Sequence, residues 1–224
     1  DAPLIGNATE VAYLDDINYG YVSLDEIAVF KHGKKASITF NALPKDKSYA
    51  QKEGYTFFME KEIYEQGAVV SETIMGRVKN HKVTLENLDD EYLKSIDDIV
   101  LCACGTSYHA ALTASYLFER LAKVRTKVEV ASEFRYRKPY LNKNSLFIVI
   151  SQSGETADTL EALRIAKEAG LRTLAICNVD NSSIVRLADN TLLTRAGIEK
   201  GVASTKAFAT QIIVLWMLVL QMAA

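Results

Sequence analysis

With 224 residues, of which 49 % are hydrophobic, the chain is long enough to bury the core of one substantial domain with an appendage. Its formal net charge of −2 gives no electrostatic case for a nucleic-acid partner or an anionic membrane. Three cysteines (Cys102, Cys104 and Cys177) are an odd number, which argues against a disulfide framework, and no signal peptide is visible. We therefore expect a reducing, cytoplasmic setting.

Residues 1 to about 45 predict a short β-rich tail. The candidate strands are 10–14, 21–24, 27–30 and 36–40, with turn signals at 18–20 and 32–35. So few strands do not make a stable sheet alone, so we expect the chain to begin inside, or at the end of, a larger β-containing domain. The polar stretch that follows predicts a linker, assigned to residues 46–54.

Residues 55–224 predict an α/β fold, a doubly wound parallel sheet flanked by helices. Long helical patterns alternate there with short apolar strands. The predicted helices are 57–77, 89–96, 107–122, 157–169, 182–187 and one from about 205, and the predicted strands are 99–103, 127–131, 146–150, 173–177 and 191–193. The runs at 99–103 and 146–150 are apolar on both faces, as parallel strands covered by helices are.

The last predicted helix needs a separate test because residues 207–224 carry no charge and approach the length of a membrane span. Gln211 and Gln221 interrupt this apolar run, and Lys206 precedes it. A helix that is apolar all round is buried somewhere, so we predict a core or oligomer-interface helix rather than a membrane span.

Two hydroxyl-rich loops follow predicted strands, at 104–107 and 151–156. Ligands of open parallel sheets bind at the carboxyl ends of strands, and both loops lead into helices whose free N–H groups and dipoles favour an anion. The second loop has one glycine and no lysine, unlike a nucleotide-binding P-loop. Its neutral donors suit one phosphate dianion. Helix capping is the alternative for either loop alone, but two such loops on neighbouring strands favour a ligand site.

A third segment, residues 199–206, contains small residues that let backbone approach a ligand closely. Glu199 and Lys206 are the ionisable side chains of this segment that could reach a sugar. The alternative is that they only form ion pairs or hydrogen bonds within the protein. The three histidines lie far apart, so no metal site is expected.

The charged and aromatic stretch 133–137 could contact either substrate or a partner subunit.

Several motifs resemble the glutamine–fructose-6-phosphate aminotransferase family. They are MEKEIYEQ at 59–66, CGTSY at 104–108, ASEFRYR at 131–137, SQSGETADTL at 151–160, LAICNV at 174–179 and GVASTKAFATQ at 201–211. SQSGET alone indicates a sugar isomerase (SIS) domain, and its combination with ASEFRYR and GVASTKAF is far more specific. The resemblance implies that residues 1–45 are the end of a glutaminase domain and that 55–224 are the first SIS subdomain.

The resemblance also implies the site residues and the partners. The phosphate-binding positions fall on Ser107, Ser151, Gln152, Ser153 and Thr156. The sugar-contacting positions fall on Cys104, Gly105, Thr106, Val202, Ala203 and Ser204. The implied ligands are fructose 6-phosphate and glucosamine 6-phosphate. We expect a homodimer, and we expect neither a cofactor nor a metal.

The same resemblance places no catalytic residue in this chain. The glutaminase nucleophile of the family is an N-terminal cysteine, whereas this chain starts with Asp1. The Schiff-base lysine, general-base glutamate and ring-opening histidine of the family lie in a second SIS subdomain. We therefore expect a fragment that binds substrate and is inactive alone. The alternatives are another SIS isomerase or deglycase, or a non-catalytic SIS sugar-phosphate sensor.

Overall fold

The structure, a computed structural model, describes residues 8–15, 17–42, 52–137 and 139–224. The chain divides into two compact units, residues 1–53 and 54–224. Most of the predicted linker at 46–54 lies outside the described residues.

The first unit contains short antiparallel strands. They are β1 (Glu10–Val11), β2 (Asn18–Val22), β3 (Ile27–Lys31), β4 (Lys34–Ala36) and β5 (Asn41–Ala42). Strand β3 pairs with β2 on one side and β4 on the other, and β1 pairs with β5. The β-rich prediction for this region is confirmed.

Two details of that prediction are wrong. Residues 18–20 lie in β2 rather than in a turn, because Tyr19 stacks on Phe30 at 5.7 Å between ring centroids and Gly20 lets Ala28 approach. A Cβ at Gly20 would lie 2.2 Å from the carbonyl oxygen of Ala28. The predicted strand 36–40 also fails, since β4 ends at Ala36 and β5 starts only at Asn41.

The second unit alternates helices and strands. It starts with α1 (Phe58–Ile74), the hairpin of β6 (Val78–Lys79) and β7 (Lys82–Val83), and α2 (Asp90–Lys94). There follow β8 (Asp98–Ala103), α3 (Gly105–Leu117) with a π-helical turn at Phe118–Ala122, β9 (Arg125–Val130), α4 (Ala131–Arg137), β10 (Ser145–Ser151), α5 (Ala157–Glu168), β11 (Arg172–Cys177), α6 (Ser183–Leu187), β12 (Asn190–Leu193) and α7 (Lys206–Met222). The sequence pattern predicts neither the β6–β7 hairpin nor helix α4.

The main sheet has five parallel strands in the order β12-β11-β10-β8-β9. From β8 the chain moves outward to β9 and then crosses back to β10 on the other side of β8. This reversal is the topological switch point of a doubly wound sheet, where the loops after β8 and β10 diverge and leave a crevice. The sheet topology therefore predicts a ligand site at the ends of these two strands.

Side chains of the central strands alternate between two buried layers. Ile99 and Leu101 of β8 belong to the layer that contains α3 and α7, whereas Val100 and Cys102 face the layer that contains α4 and α5. Every residue of β10 is buried. Burial on both faces explains why these strands read as continuous apolar runs, and it confirms the doubly wound prediction.

Helix α7 packs across α1 and α3 as a core helix, which confirms that part of the prediction. Val214, Leu215 and Leu218 are fully buried. The side chain of Gln221 accepts a hydrogen bond from the Leu85 N–H (2.9 Å) and donates one to the Leu88 carbonyl (3.0 Å). Within the described ranges, no helix is both long and apolar enough to cross a membrane.

Candidate sugar-phosphate site

A cavity of about 220 Å³ lies at the carboxyl ends of β8 and β10, at the switch point. Its lining combines the two hydroxyl-rich loops with the segment before α7. The lining residues are Cys104, Ser107, Ile150, Ser151, Gln152, Ser153, Thr156, Thr159, Glu199, Gly201, Val202 and Ser204. The structure thus brings together residues that are 100 positions apart in the sequence.

Most of the predicted site residues line this cavity. All five predicted phosphate-binding residues do so, as do Cys104, Val202, Ser204 and Glu199. Gly105, Thr106, Ala203 and Lys206 are not part of the lining. Ile150, Thr159 and Gly201 also line the cavity but are not among the predicted site residues, although each lies in or next to one of the family motifs.

The first loop turns sharply into α3 through Gly105. This residue has φ +57°, a left-handed conformation that favours glycine. The turn leaves Ser107 in the first turn of α3, where it is 8 % exposed and faces the cavity. The amino end of α3, with its unpaired N–H groups, therefore borders the cavity.

The second loop is shaped by its own hydroxyl groups. Ser151 Oγ accepts a hydrogen bond from the Gly154 N–H (2.9 Å) and lies 3.4 Å from Thr156 Oγ1. Ser153 Oγ accepts from the Glu155 N–H (3.2 Å). These bonds curl the loop. Ser153 keeps its hydroxyl hydrogen for a ligand, and so does at least one of Ser151 and Thr156.

Contacts behind the second loop fix its position. Gly154 has φ +68°, and a Cβ there would lie 2.0 Å from Ser182 Oγ and 2.8 Å from Cys177 Sγ. The Gln152 carbonyl accepts from the Asn178 N–H (3.3 Å), and the Glu155 carboxylate accepts from the Ser183 N–H (2.8 Å). The loop is therefore held against the start of α6 and is pre-organised rather than dependent on a ligand for its shape.

Glu199 and Lys206 both have structural partners. The Glu199 carboxylate accepts from the N–H groups of Thr205 (2.9 Å) and Ala207 (3.2 Å) and from Ser204 Oγ (3.0 Å), so it caps α7. Lys206 is 3 % exposed, and its Nζ lies 2.7 Å from Glu65 Oε2. The geometry thus agrees with the structural-pairing alternative for both residues, while Glu199 also borders the cavity.

Helix α1 supports the third segment through Glu62, a residue to which the sequence reading gave no role. The Glu62 side chain is buried and accepts hydrogen bonds from the N–H groups of Lys200 (2.5 Å) and Gly201 (3.0 Å). The motif MEKEIYEQ shows a charged residue on a helix, but it does not show that Glu62 binds backbone 138 residues away. Glu62 thereby positions backbone that lines the cavity.

The buried thiols do not offer nucleophiles. Burial raises the pKa of Cys102, and the nearby Glu129 charge adds to this shift. Burial also raises the pKa of Cys177, against hydrogen bonds from its neighbours that lower it. Both groups stay protonated at neutral pH and act as small core side chains.

The fold and this strand-end cavity agree with one family of α/β domains. The family model described as "SIS domain" matches residues 92–221, which is more than half of the chain. The chain therefore belongs to the SIS domain family.

Curated relatives indicate a narrower similarity. The chain is 64 % identical, over its whole length, to glutamine–fructose-6-phosphate aminotransferase [isomerizing] of Campylobacter jejuni, of which it covers 37 %. It is 47 % identical over 88 % of its length to the protein of the same name from Helicobacter pylori, of which it covers 34 %. The chain thus spans about a third of the length of these relatives.

Solved structures show the same fold. The C-terminal domain of glucosamine-fructose-6-phosphate aminotransferase from Francisella tularensis matches 77 % of this chain with a TM-score of 0.73 and 48 % identity, and 49 % of that structure is covered. A glucosamine-6-phosphate deaminase from Thermotoga maritima matches 74 % of the chain with a TM-score of 0.58 and 29 % identity, with 48 % of that structure covered.

Proposed function

We propose that this chain binds the phosphate group of fructose 6-phosphate and forms the sugar-phosphate-binding half of a synthase site. In the intact protein, that site would belong to a glutamine–fructose-6-phosphate aminotransferase that makes glucosamine 6-phosphate for hexosamine biosynthesis. One observation carries the proposal: two hydroxyl-rich loops converge on one cavity at the switch point of the sheet. Relatives with this activity in their name and 47–64 % identity support it.

The cavity suits a single phosphate group. Its phosphate-facing side has the hydroxyls of Ser107, Ser151, Ser153 and Thr156, the amide of Gln152, and the amino ends of α3 and α5. Helix amino ends attract a dianion, and neutral donors hold it without burying a cation. We assign these five residues to the phosphate, and Cys104, Gly105, Thr106, Val202, Ala203 and Ser204 to the sugar.

We assign binding rather than proton transfer to this chain. Amination of a ketose needs a lysine and a carboxylate placed on the open-chain sugar. Lys206 is buried against Glu65, and Glu199 is engaged in capping α7. The groups that act on the sugar carbons would therefore come from outside residues 55–224, which we interpret as the first SIS subdomain.

The rest of the assignment follows from the similarity. Residues 1–45 would be the end of a glutaminase domain, so the intact protein would be a glutamine amidotransferase. We further propose a cytoplasmic homodimer. The described cysteines are free thiols, which fits a reducing compartment.

Backbone amide NMR of the chain tests the site directly. On addition of fructose 6-phosphate, the amide signals of residues 104–107 and 151–156 should shift, because their N–H groups border the bound phosphate. Unphosphorylated fructose at the same concentration is the control and should shift none of them. Shifts confined to other surfaces would contradict the proposed site.

A further inference from the structure

Thr159 lies in the cavity but belongs to none of the positions that the sequence assigned. It is the third residue of α5 and follows Thr156, the N-cap residue of this helix, by three positions. It is 1 % exposed and is one of the residues that line the cavity. Thr159 therefore borders the cavity from the amino end of α5.

The Thr159 hydroxyl is buried without a hydrogen-bond partner among the residues that the structure describes. This sets it apart from Ser151 and Ser153, whose oxygens accept backbone N–H bonds. A buried hydroxyl that makes no hydrogen bond destabilises the protein, and such groups are rare in folded chains. Valine would fill nearly the same space without that cost, so the hydroxyl calls for an explanation outside folding.

We propose that Thr159 is a further ligand-binding residue, whose hydroxyl donates a hydrogen bond to the bound phosphate or to a water molecule that the phosphate holds. The inference rests on the proposed function, since it needs a phosphate in this cavity. The position favours a phosphate oxygen over a sugar hydroxyl, because the dipole of α5 draws an anion to the amino end of the helix, where Thr156 and Thr159 lie. Ligand binding would thus supply a partner for a donor that no described residue pairs with.

The test compares Thr159→Val with Thr159→Ser by calorimetric titration with fructose 6-phosphate and by thermal unfolding. We expect Thr159→Val to bind about tenfold more weakly while its unfolding temperature is unchanged or higher. Thr159→Ser should bind with close to the wild-type affinity, because it keeps the donor. Loss of affinity with gain of stability is a combination that a structural role does not produce.

Thr173→Val is the matched control. Thr173 is also fully buried, but its Oγ1 donates to Asp189 Oδ2 (2.7 Å) and accepts from the Asp189 N–H (3.0 Å). This variant should lose stability and keep its affinity for the sugar phosphate. Equal affinity of Thr159→Val and the wild type would overturn the inference, as would weaker binding accompanied by a lower unfolding temperature. A wild-type chain that does not bind fructose 6-phosphate at all would instead overturn the proposed function itself.

Discussion

Gly201 packs directly against the carboxylate of Glu62. Its N–H lies 3.0 and 3.1 Å from the two carboxylate oxygens, and a Cβ at this position would lie 2.4 Å from Oε2. The contact ties the cavity-lining segment before α7 to helix α1. It explains why a glycine stands at this position, since a side chain here would collide with the buried Glu62 carboxylate.

Gly201→Ala should therefore displace the segment that lines the cavity. We expect it to destabilise the chain by about 1–3 kcal/mol through overpacking and to weaken binding of fructose 6-phosphate. Urea unfolding and calorimetric titration measure the two effects.

Gly67→Ala is the control for that variant. Gly67 lies in the exposed part of α1, and no described atom lies within 4 Å of the position of an added Cβ. Alanine should stabilise this helix by about 0.5–1 kcal/mol and leave binding unchanged. If both variants had the same stability and affinity, the contact with Glu62 would not determine the position of the segment.

Gly154→Ala should disrupt the phosphate-facing loop. The added methyl group would collide with Ser182, and φ of +68° strains any residue with a side chain. Gly170→Ala is the control, because Gly170 has φ +77° with open space around it and therefore tests backbone strain without a collision. It should lower the free energy of unfolding by only about 1–2 kcal/mol. We expect a larger loss of stability and loss of measurable binding for Gly154→Ala alone. Equal losses in the two variants would contradict the close packing behind this loop.

Ser153→Ala should weaken binding of the phosphorylated sugar. It removes a hydrogen bond to a charged group, worth about 1.5–3 kcal/mol, or roughly a 10- to 150-fold change in affinity. Ser71→Ala is the control, since Ser71 is an exposed residue of α1 outside the cavity lining. Titration of both variants with fructose 6-phosphate should show the change only at Ser153, and unchanged affinity there would remove Ser153 from the site.

The sequence predicts the part of the site whose residues come directly after predicted strands. Ser151 and Ser107 could be placed near one another from the sequence because parallel strands carry their ends to one edge of the sheet. The strand order, with β8 beside β10, completes that argument and depends on packing that local patterns do not encode. Glu199 shows the limit: its chemistry was visible, but its role as the cap of α7 depends on a loop conformation.

Tertiary contacts that local sequence patterns do not encode explain the features that the sequence did not predict. Gly20 is a turn signal in the sequence, yet it lies in a strand and pairs with Val29. Because it has no side chain, the neighbouring strand can pack closely against it. Glu62 had a helical setting but no partner in the sequence, because the segment that it binds lies 138 residues away. The sequence places Thr159 in a helix but cannot show that its hydroxyl has no hydrogen-bond partner among the described residues, because that depends on the packing around it.

Acid should destabilise the second unit through Glu86 and Asp189. Burial opposes ionisation of Glu86, but the Arg77 and Arg195 side chains outweigh it and hold its pKa below the usual 4.5. Lys167 and Thr173 likewise outweigh burial and lower the pKa of Asp189 below its usual 3.8.

Both carboxyl groups bind protons less readily when folded than when unfolded. Their contribution to stability is therefore complete above the unfolded pKa values and is lost as the pH falls through the folded ones. Urea midpoints measured between neutral pH and about pH 3 should fall, and Glu86→Gln should show a shallower decline. An identical decline in the variant would remove Glu86 as a source of the acid sensitivity.

If the loops after β8 and β10 form a phosphate site, the folded chain should bind a sugar phosphate through its phosphate group. Calorimetric titration of the folded chain with fructose 6-phosphate, with unphosphorylated fructose as control, measures this binding. We predict saturable binding of the phosphate ester and none of the free sugar. If the folded chain bound neither compound, or both equally well, these loops would not be a phosphate site.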